Sequence, residues 1–206
     1  MKSNSEHWNR IYEETEEHRL GWYEDDPSPT LDLLEQISDW RQSTVFLPGA
    51  GTSMLVDVLL DAGARLVLND LSPAALDRVR NRLGAQSPSV EWVCRNIAHP
   101  LGAAVPEVDL WIDRAVLHFL TDEHDILGYF NNVQSKLRVG GHALFAEFPP
   151  HGAPKCAGLE LHRYSLEELS ERLGDGFELV DHFDHTYINP AGARRPYLYA
   201  LFKCVA

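Results

Sequence analysis

From Thr44 onward, short β-branched and aliphatic runs alternate with segments whose apolar residues recur at helical spacing. That rhythm predicts a mostly parallel sheet with helices on both faces. Val45 to Leu47 reads as the first strand. Thr52 to Ala62 reads as a helix with Leu55, Val56, Leu59 and Leu60 on one face and Gly63 as its stop. Arg65 to Asn69 is the second strand, and Ser72-Pro73 opens a helix to about Leu83, the hydroxyl capping free amides and the ring preset for the first turn. Val90 to Cys94 and Val108 to Ile112 are the third and fourth strands. Thr121 opens a helix carrying Ile126, Phe130, Val133 and Leu137 on its apolar face, ended by Gly140 and Gly141. His142 to Phe148 is the fifth strand, and Ser165 with Glu168 is a capping box. Phe177 to Phe183 and Tyr197 to Phe202, around the Asn189-Pro190-Ala191-Gly192 turn, pair as an antiparallel edge.

The segment before Ser43 breaks the rhythm. It sets Trp8, Tyr12, Trp22 and Tyr23 among charges and reads as a helix plus a loop that either covers a sheet edge or closes over a ligand. The expectation is one domain over 1–206, with 1–42 as an N-terminal cap and 43–206 as the core.

Charge narrows the partners. The net charge of -13 comes with no cluster of Lys or Arg able to neutralise a row of phosphates, which argues against nucleic acid. The acidity leaves open a basic protein segment as partner. Cys94, Cys156 and Cys204 form no CxxC pair, so neither a zinc site nor a disulfide framework is expected. The polar start of the chain lacks the apolar core of a signal peptide, and no apolar run reaches spanning length. No metal, no membrane and a cytoplasmic setting are the expectations.

The chemistry concentrates after the first strand. Pro48-Gly49-Ala50-Gly51-Thr52-Ser53 joins that strand to a helix, and Asp70 ends the next strand 21 residues after Gly49. Glycines let the backbone turn sharply beside a ligand, and an acid at that distance accepts from two ribose hydroxyls. Ser53 or Met54 stands where a dinucleotide site has its third glycine, and no GK[ST] follows for a triphosphate. S-adenosylmethionine (SAM) carries no phosphate and suits such a turn. Asn96-Ile97 after the third strand can form an adenine wall, with the Asn96 amide oxygen toward the amino group and Ile97 or Leu71 against the ring; a turn that closes the strand is the other reading of Asn96.

Together, Val45 to Ser53, Asp70-Leu71-Ser72, Asn96-Ile97, Asp109-Leu110-Trp111 and Leu137 to Gly141 resemble, in order, the motifs of the SAM-dependent Rossmann-like methyltransferases. The resemblance implies an α/β, doubly wound, seven-stranded sheet, mostly parallel with an antiparallel C-terminal hairpin. It implies SAM as cofactor and S-adenosylhomocysteine (SAH) as product, held by Pro48, Gly49, Ala50, Gly51, Asp70, Leu71, Asn96 and Ile97. Val45 to Pro48 and Trp111-Ile112-Asp113-Arg114-Ala115 resemble the thiopurine methyltransferase branch more narrowly. Leu47 stands where the family has an acid, so the methionine ammonium must meet backbone carbonyls around Gly49 or the Asp113 carboxylate.

The pattern His7-Trp8-Asn9-Arg10-Ile11-Tyr12 with Gly21-Trp22-Tyr23 resembles the leading helix and loop that lie over the cofactor in several methyltransferases, some of them protein-lysine enzymes. Aromatic faces attract a sulfonium and exclude water, making Trp8, Trp22 and Tyr23 lid candidates beside a core-packing reading. Asp113, Arg114 and His118 fall at the carboxyl end of the fourth strand, where open α/β sheets bind ligands, and are the candidate catalytic residues. Arg114 can fork onto a substrate carboxylate or pair with a protein acid; His118 can act as base or cap a turn. The breaker-rich run Pro149 to Gly158 overhangs the same end, and Arg163-Tyr164 are candidates for the pocket floor. The expected acceptor is a small molecule of acid or thiol/chalcogen type, with a protein lysine as the alternative and a non-catalytic SAM-binding protein as a third reading.

Overall fold

The computed structural model describes residues 5–206. The first four positions of the cap lie outside the described residues. Helices α1 (Ser5–Glu14) and α2 (Ser28–Leu34) precede the core. The core runs β1 (Thr44–Leu47), α3 (Leu55–Asp61), β2 (Arg65–Asp70), α4 (Pro73–Leu83), β3 (Glu91–Cys94), β4 (Val108–Arg114), α5 (Glu123–Lys136) and β5 (Leu137–Glu147). A small hairpin of β6 (Lys155–Cys156) and β7 (Leu159–Glu160) follows, then α6 (Leu166–Leu173), β8 (Phe177–Ile188) and β9 (Arg194–Cys204).

Seven strands form one sheet in the order β3-β2-β1-β4-β5-β9-β8. The first five are parallel, and β9 runs antiparallel to both β5 and β8. Because β1 pairs with β2 on one side and β4 on the other, the chain reverses its march at this point, leaving a crevice beyond the carboxyl ends of β1 and β4. Strand alternation splits the core in two. Val45, Leu47, Leu66, Leu68, Leu110, Ile112 and Leu144 pack with residues of α2, α3 and α4. Phe46, Val67, Trp111, Ala143 and Phe145 pack with residues of α5 and α6. Phe46 and Trp111 stack at 4.3 Å between centroids, pinning β1 to β4 just below the crevice.

Several boundaries differ from the sequence reading. The helix expected from Thr52 starts at Leu55, because residues 52–54 complete the turn out of the glycine loop. The next long helix takes Asp122 rather than Thr121 as its cap, the carboxylate accepting from His124 N. It ends at Lys136, and Leu137 to Gly141 already belong to β5. β4 extends past Ile112 through Arg114. Ser165 caps α6 by accepting from Glu168 N at 3.2 Å, while the Glu168 carboxylate meets His162 and Arg172 instead of closing the capping box.

The N-terminal segment is fastened to the core. Asn9 Oδ1 accepts from the Ser72 hydroxyl at 2.6 Å and from Ala74 N at 3.3 Å, so α1 supplies part of the cap of α4. Arg78 donates to Thr15 O, and Arg82 pairs with Glu17 at 2.5 Å. Arg82 also donates to Thr52 O and Ser53 O, tying the glycine loop, α4 and the cap to one guanidinium. Among the described residues no helix is long and apolar enough to cross a membrane.

Candidate cofactor and acceptor site

The loop after β1 reverses through two left-handed residues, Gly49 (φ +47°) and Gly51 (φ +54°). A Cβ at Gly49 would stand 2.5 Å from Val116 Cγ2, and one at Gly51 2.5 Å from the Tyr12 hydroxyl oxygen, so both conformation and space require glycine. Asp70, at the end of β2, closes on this bend. Its Oδ2 accepts from Gly51 N at 2.8 Å and its Oδ1 from Ser72 N at 2.7 Å. Burial pushes its carboxyl up to about 6, against the pull of those amides. Each carboxylate oxygen keeps a further lone pair for a ligand hydroxyl.

Two cavities meet over the bend. The larger, about 750 Å³ of empty space including its open mouth, is lined on one flank by Asn69, Asp70, Leu71, Asn96 and Ile97. Its other flank carries Trp8, Tyr12, His118, Phe119 and Cys156. The smaller, about 570 Å³ on the same measure, runs along Pro48 to Leu55 under Tyr23 and Glu24. Trp22, Gly49 and Arg114 line both. Trp8, Tyr12, Trp22, Tyr23 and Glu24 of the N-terminal segment line these cavities. Trp8 stands edge-on to Trp22 (5.7 Å between centroids) and to Phe119 (4.8 Å).

The candidates for the adenine wall lie together, with a refinement. Ile97 is buried and Leu71 half-buried in the same cavity as Asn96. Asn96 Oδ1 already accepts from Ala98 N at 3.0 Å, closing a turn, so a ligand would have to share that oxygen.

The three catalytic candidates separate. Asp113 is fully buried and lines neither cavity. Its oxygens accept from Val116 N, Leu117 N and the Tyr129 hydroxyl, the last at 2.5 Å, which fixes the turn after β4. The expectation that it meets a methionine ammonium or takes part in chemistry is corrected accordingly: the carboxylate is sealed from both cavities and bonds within the protein. Burial, then the nearby Glu147 charge, holds its carboxyl well above the usual range. Arg114 pairs with Glu24 of the cap at 3.0 Å and donates to Trp22 O at 3.1 Å. It is thus committed to a protein acid, and that acid is neither Asp113 nor an acceptor. His118 lines the larger cavity with its ring stacked on Phe148 at 4.8 Å. Its Nδ1 lies 2.6 Å from Glu147 Oε2, which also accepts from the His118 backbone amide, while Nε2 has no partner among the described residues.

Glu147, Glu24 and Tyr12 were missed from sequence. Glu147 had a legible signal, an ionisable residue ending the apolar run Ala143 to Ala146. Of the overhanging loop, Cys156 reaches the cavity. Arg163 instead donates to Pro150 O and Gly152 O, which brace the loop, and Tyr164 is buried in the core beneath. Among the described residues no cluster of three or more His, Cys, Asp or Glu could hold a metal ion.

A glycine cradle that a Cβ would fill, a carboxylate bonded to it, and an aromatic-walled cleft on either side fit an adenosyl sulfonium ligand. Residues 48–143 match a family described as methyltransferase domain. The sheet order, the carboxylate on the glycine bend and the matched methyltransferase domain support a SAM-dependent methyltransferase with SAM as its cofactor.

Solved structures share the fold. A SAM-dependent methyltransferase from Anabaena variabilis aligns over 97% of this chain and 93% of its own at 13% identity, TM-score 0.79. The N-methyltransferase NodS from Bradyrhizobium japonicum, in complex with SAH, aligns over 98% and 99% at 17% identity, TM-score 0.72. The 1,6-didemethyltoxoflavin-N1-methyltransferase of Burkholderia thailandensis, with bound 1,6-didemethyltoxoflavin and SAH, aligns over 87% and 76% at 22% identity, TM-score 0.64. No curated protein matches the chain.

Proposed function

We propose that residues 1–206 act as one domain that methylates a small, largely apolar molecule whose acceptor atom carries an exchangeable proton, as a thiol or ring nitrogen does. One observation carries this reading: a buried imidazole with an unpartnered Nε2 borders a cavity closed by Trp8, Trp22 and Phe119. That enclosure suits a compact acceptor better than a polypeptide. The small-molecule ligand of the Burkholderia thailandensis neighbour supports the same class. The three cysteines are free, which supports a reducing, cytoplasmic setting.

In this reading Pro48, Gly49, Ala50, Gly51, Asp70, Leu71, Asn96 and Ile97 hold the cofactor, with Trp8 and Trp22 as lid. Bound SAM supplies a methyl carbon on a sulfonium, which low polarity and fixed alignment favour transferring. His118 Nε2 takes the proton that the acceptor atom loses on methylation and passes it to solvent. Burial depresses His118 to about 3, so the ring starts neutral. Glu147 Oε2 engages Nδ1 and leaves the Nε2 lone pair free, and burial raises the Glu147 carboxyl to about 8, so this arrangement is favoured as pH rises toward and past that value.

His118→Gln is expected to lower kcat by roughly 10²-fold or more while SAH affinity in calorimetry stays near that of wild type. Unchanged kcat would remove the base. Labelled SAM incubated with a cell extract is expected to place label in the small-molecule fraction. Label confined to protein bands would favour the lysine alternative.

A further inference from the structure

The smaller cavity carries one charge of each sign. Among the described residues that line it, the charged ones are Glu24, from the cap, and Arg114, from the end of β4. Their side chains are 10% and 12% exposed and meet at 3.0 Å. The pair is incompletely satisfied: Arg114 Nε is buried and finds no acceptor among the described residues. The guanidinium is held in place all the same, 5.0 Å from the Tyr187 ring centroid, 5.3 Å from that of Tyr197, and bonded to Trp22 O. Gly49, Ala50 and Gly51 line the same cavity, and where β1 ends the residue is the apolar Leu47.

We propose that Glu24 and Arg114 together receive the amino-acid end of the cofactor, Glu24 meeting the α-ammonium and Arg114 the α-carboxylate. The inference rests on the cleft holding SAM, with its adenosyl part in the larger cavity beside Asp70. A ligand carrying one positive and one negative group a few ångströms apart fits such a pair without leaving a net buried charge. It also gives the arginine the acceptor it lacks. Burial lifts the Glu24 carboxyl against the opposing pull of Arg114. Glu24 thereby does from the cap what Leu47 cannot do from the sheet, and Trp22, two residues earlier, is drawn over the cleft by the same contact.

Calorimetry with two ligands separates this idea from the reading beneath it. SAH carries the amino-acid group; 5′-methylthioadenosine carries the same adenosyl thioether without it. Glu24→Gln is expected to weaken SAH at least about tenfold and to leave 5′-methylthioadenosine within about twofold of wild type. Arg114→Gln is expected to show the same selectivity, and retained 5′-methylthioadenosine binding reports that each variant is folded. SAH affinity unchanged in Glu24→Gln would overturn the proposal, as would an equal loss for both ligands. If wild-type protein binds neither ligand, the SAM assignment itself falls and this inference with it.

Discussion

At the residue scale, a cofactor held by Asp70 is expected to bind in a pH-dependent way. Its carboxyl, raised to about 6 by burial, is ionised above that value and protonated below it. Ribose hydroxyls donate better to the ionised form, so SAH affinity is expected to be flat above about pH 6 and to weaken progressively below it. In Asp70→Asn the affinity should be lower throughout and lose that inflection, which a calorimetric pH series measures; an inflection that survives the substitution would assign it elsewhere. Asp70 and the glycines were readable because their roles follow from near neighbours: a bend needing positive φ and an acid one strand away. The pairs Glu24–Arg114 and His118–Glu147 were not, since each joins distant stretches of chain that only the sheet order brings together. Asp113 shows the converse. Its place at the end of β4 looked functional, yet the turn after that strand consumes its hydrogen-bonding capacity.

At the element scale, the adenine wall depends on how closely α5 approaches the loop after β3. A Cβ on Gly128 would overlap the Ala98 carbonyl oxygen, so glycine there sets the separation. Asn132, one helical turn on, clamps the same loop through Ile97 O (2.7 Å), His99 O (2.9 Å) and Leu101 N (3.1 Å). Gly128→Ala is expected to cost about 1–3 kcal/mol, seen as a lower denaturant midpoint at unchanged slope, and to weaken SAH by displacing Asn96 and Ile97. A midpoint equal to wild type would show that the helix moves away freely. The amphipathic pattern announced α3 and α5, each of which buries one face on the sheet, and start signals at Ser72-Pro73 and Ser165 announced α4 and α6. Helix α2 went unread: its Pro-rich start and seven-residue length carry too little periodicity. The end of α5 was overrun because Leu137 continues the helical spacing while its backbone already pairs with Val108.

On the scale of the whole molecule, the proposed site has the sheet as its fixed half and the N-terminal segment as its closing half. The mostly parallel seven-stranded sheet and its antiparallel hairpin were legible from alternating runs and from the resemblance to Rossmann-like methyltransferases. The manner in which the segment docks was not, because it rests on Asn9, Glu17 and Glu24 meeting partners far along the chain. If the cofactor bridges the two halves, SAH should slow trypsin cleavage at Arg10 and Arg19, both exposed on this segment, in proportion to site occupancy. Equal cleavage rates with and without saturating SAH would mean the segment closes independently of ligand. The most direct test of the account is a crystal structure of the protein with SAH. It should show both ribose hydroxyls on Asp70, the sulfur beside Gly49 and Trp22, and the adenine against Ile97. Density for SAH away from the bend at Gly49 to Gly51, or an Asp70 carboxylate without ligand contact, would contradict it.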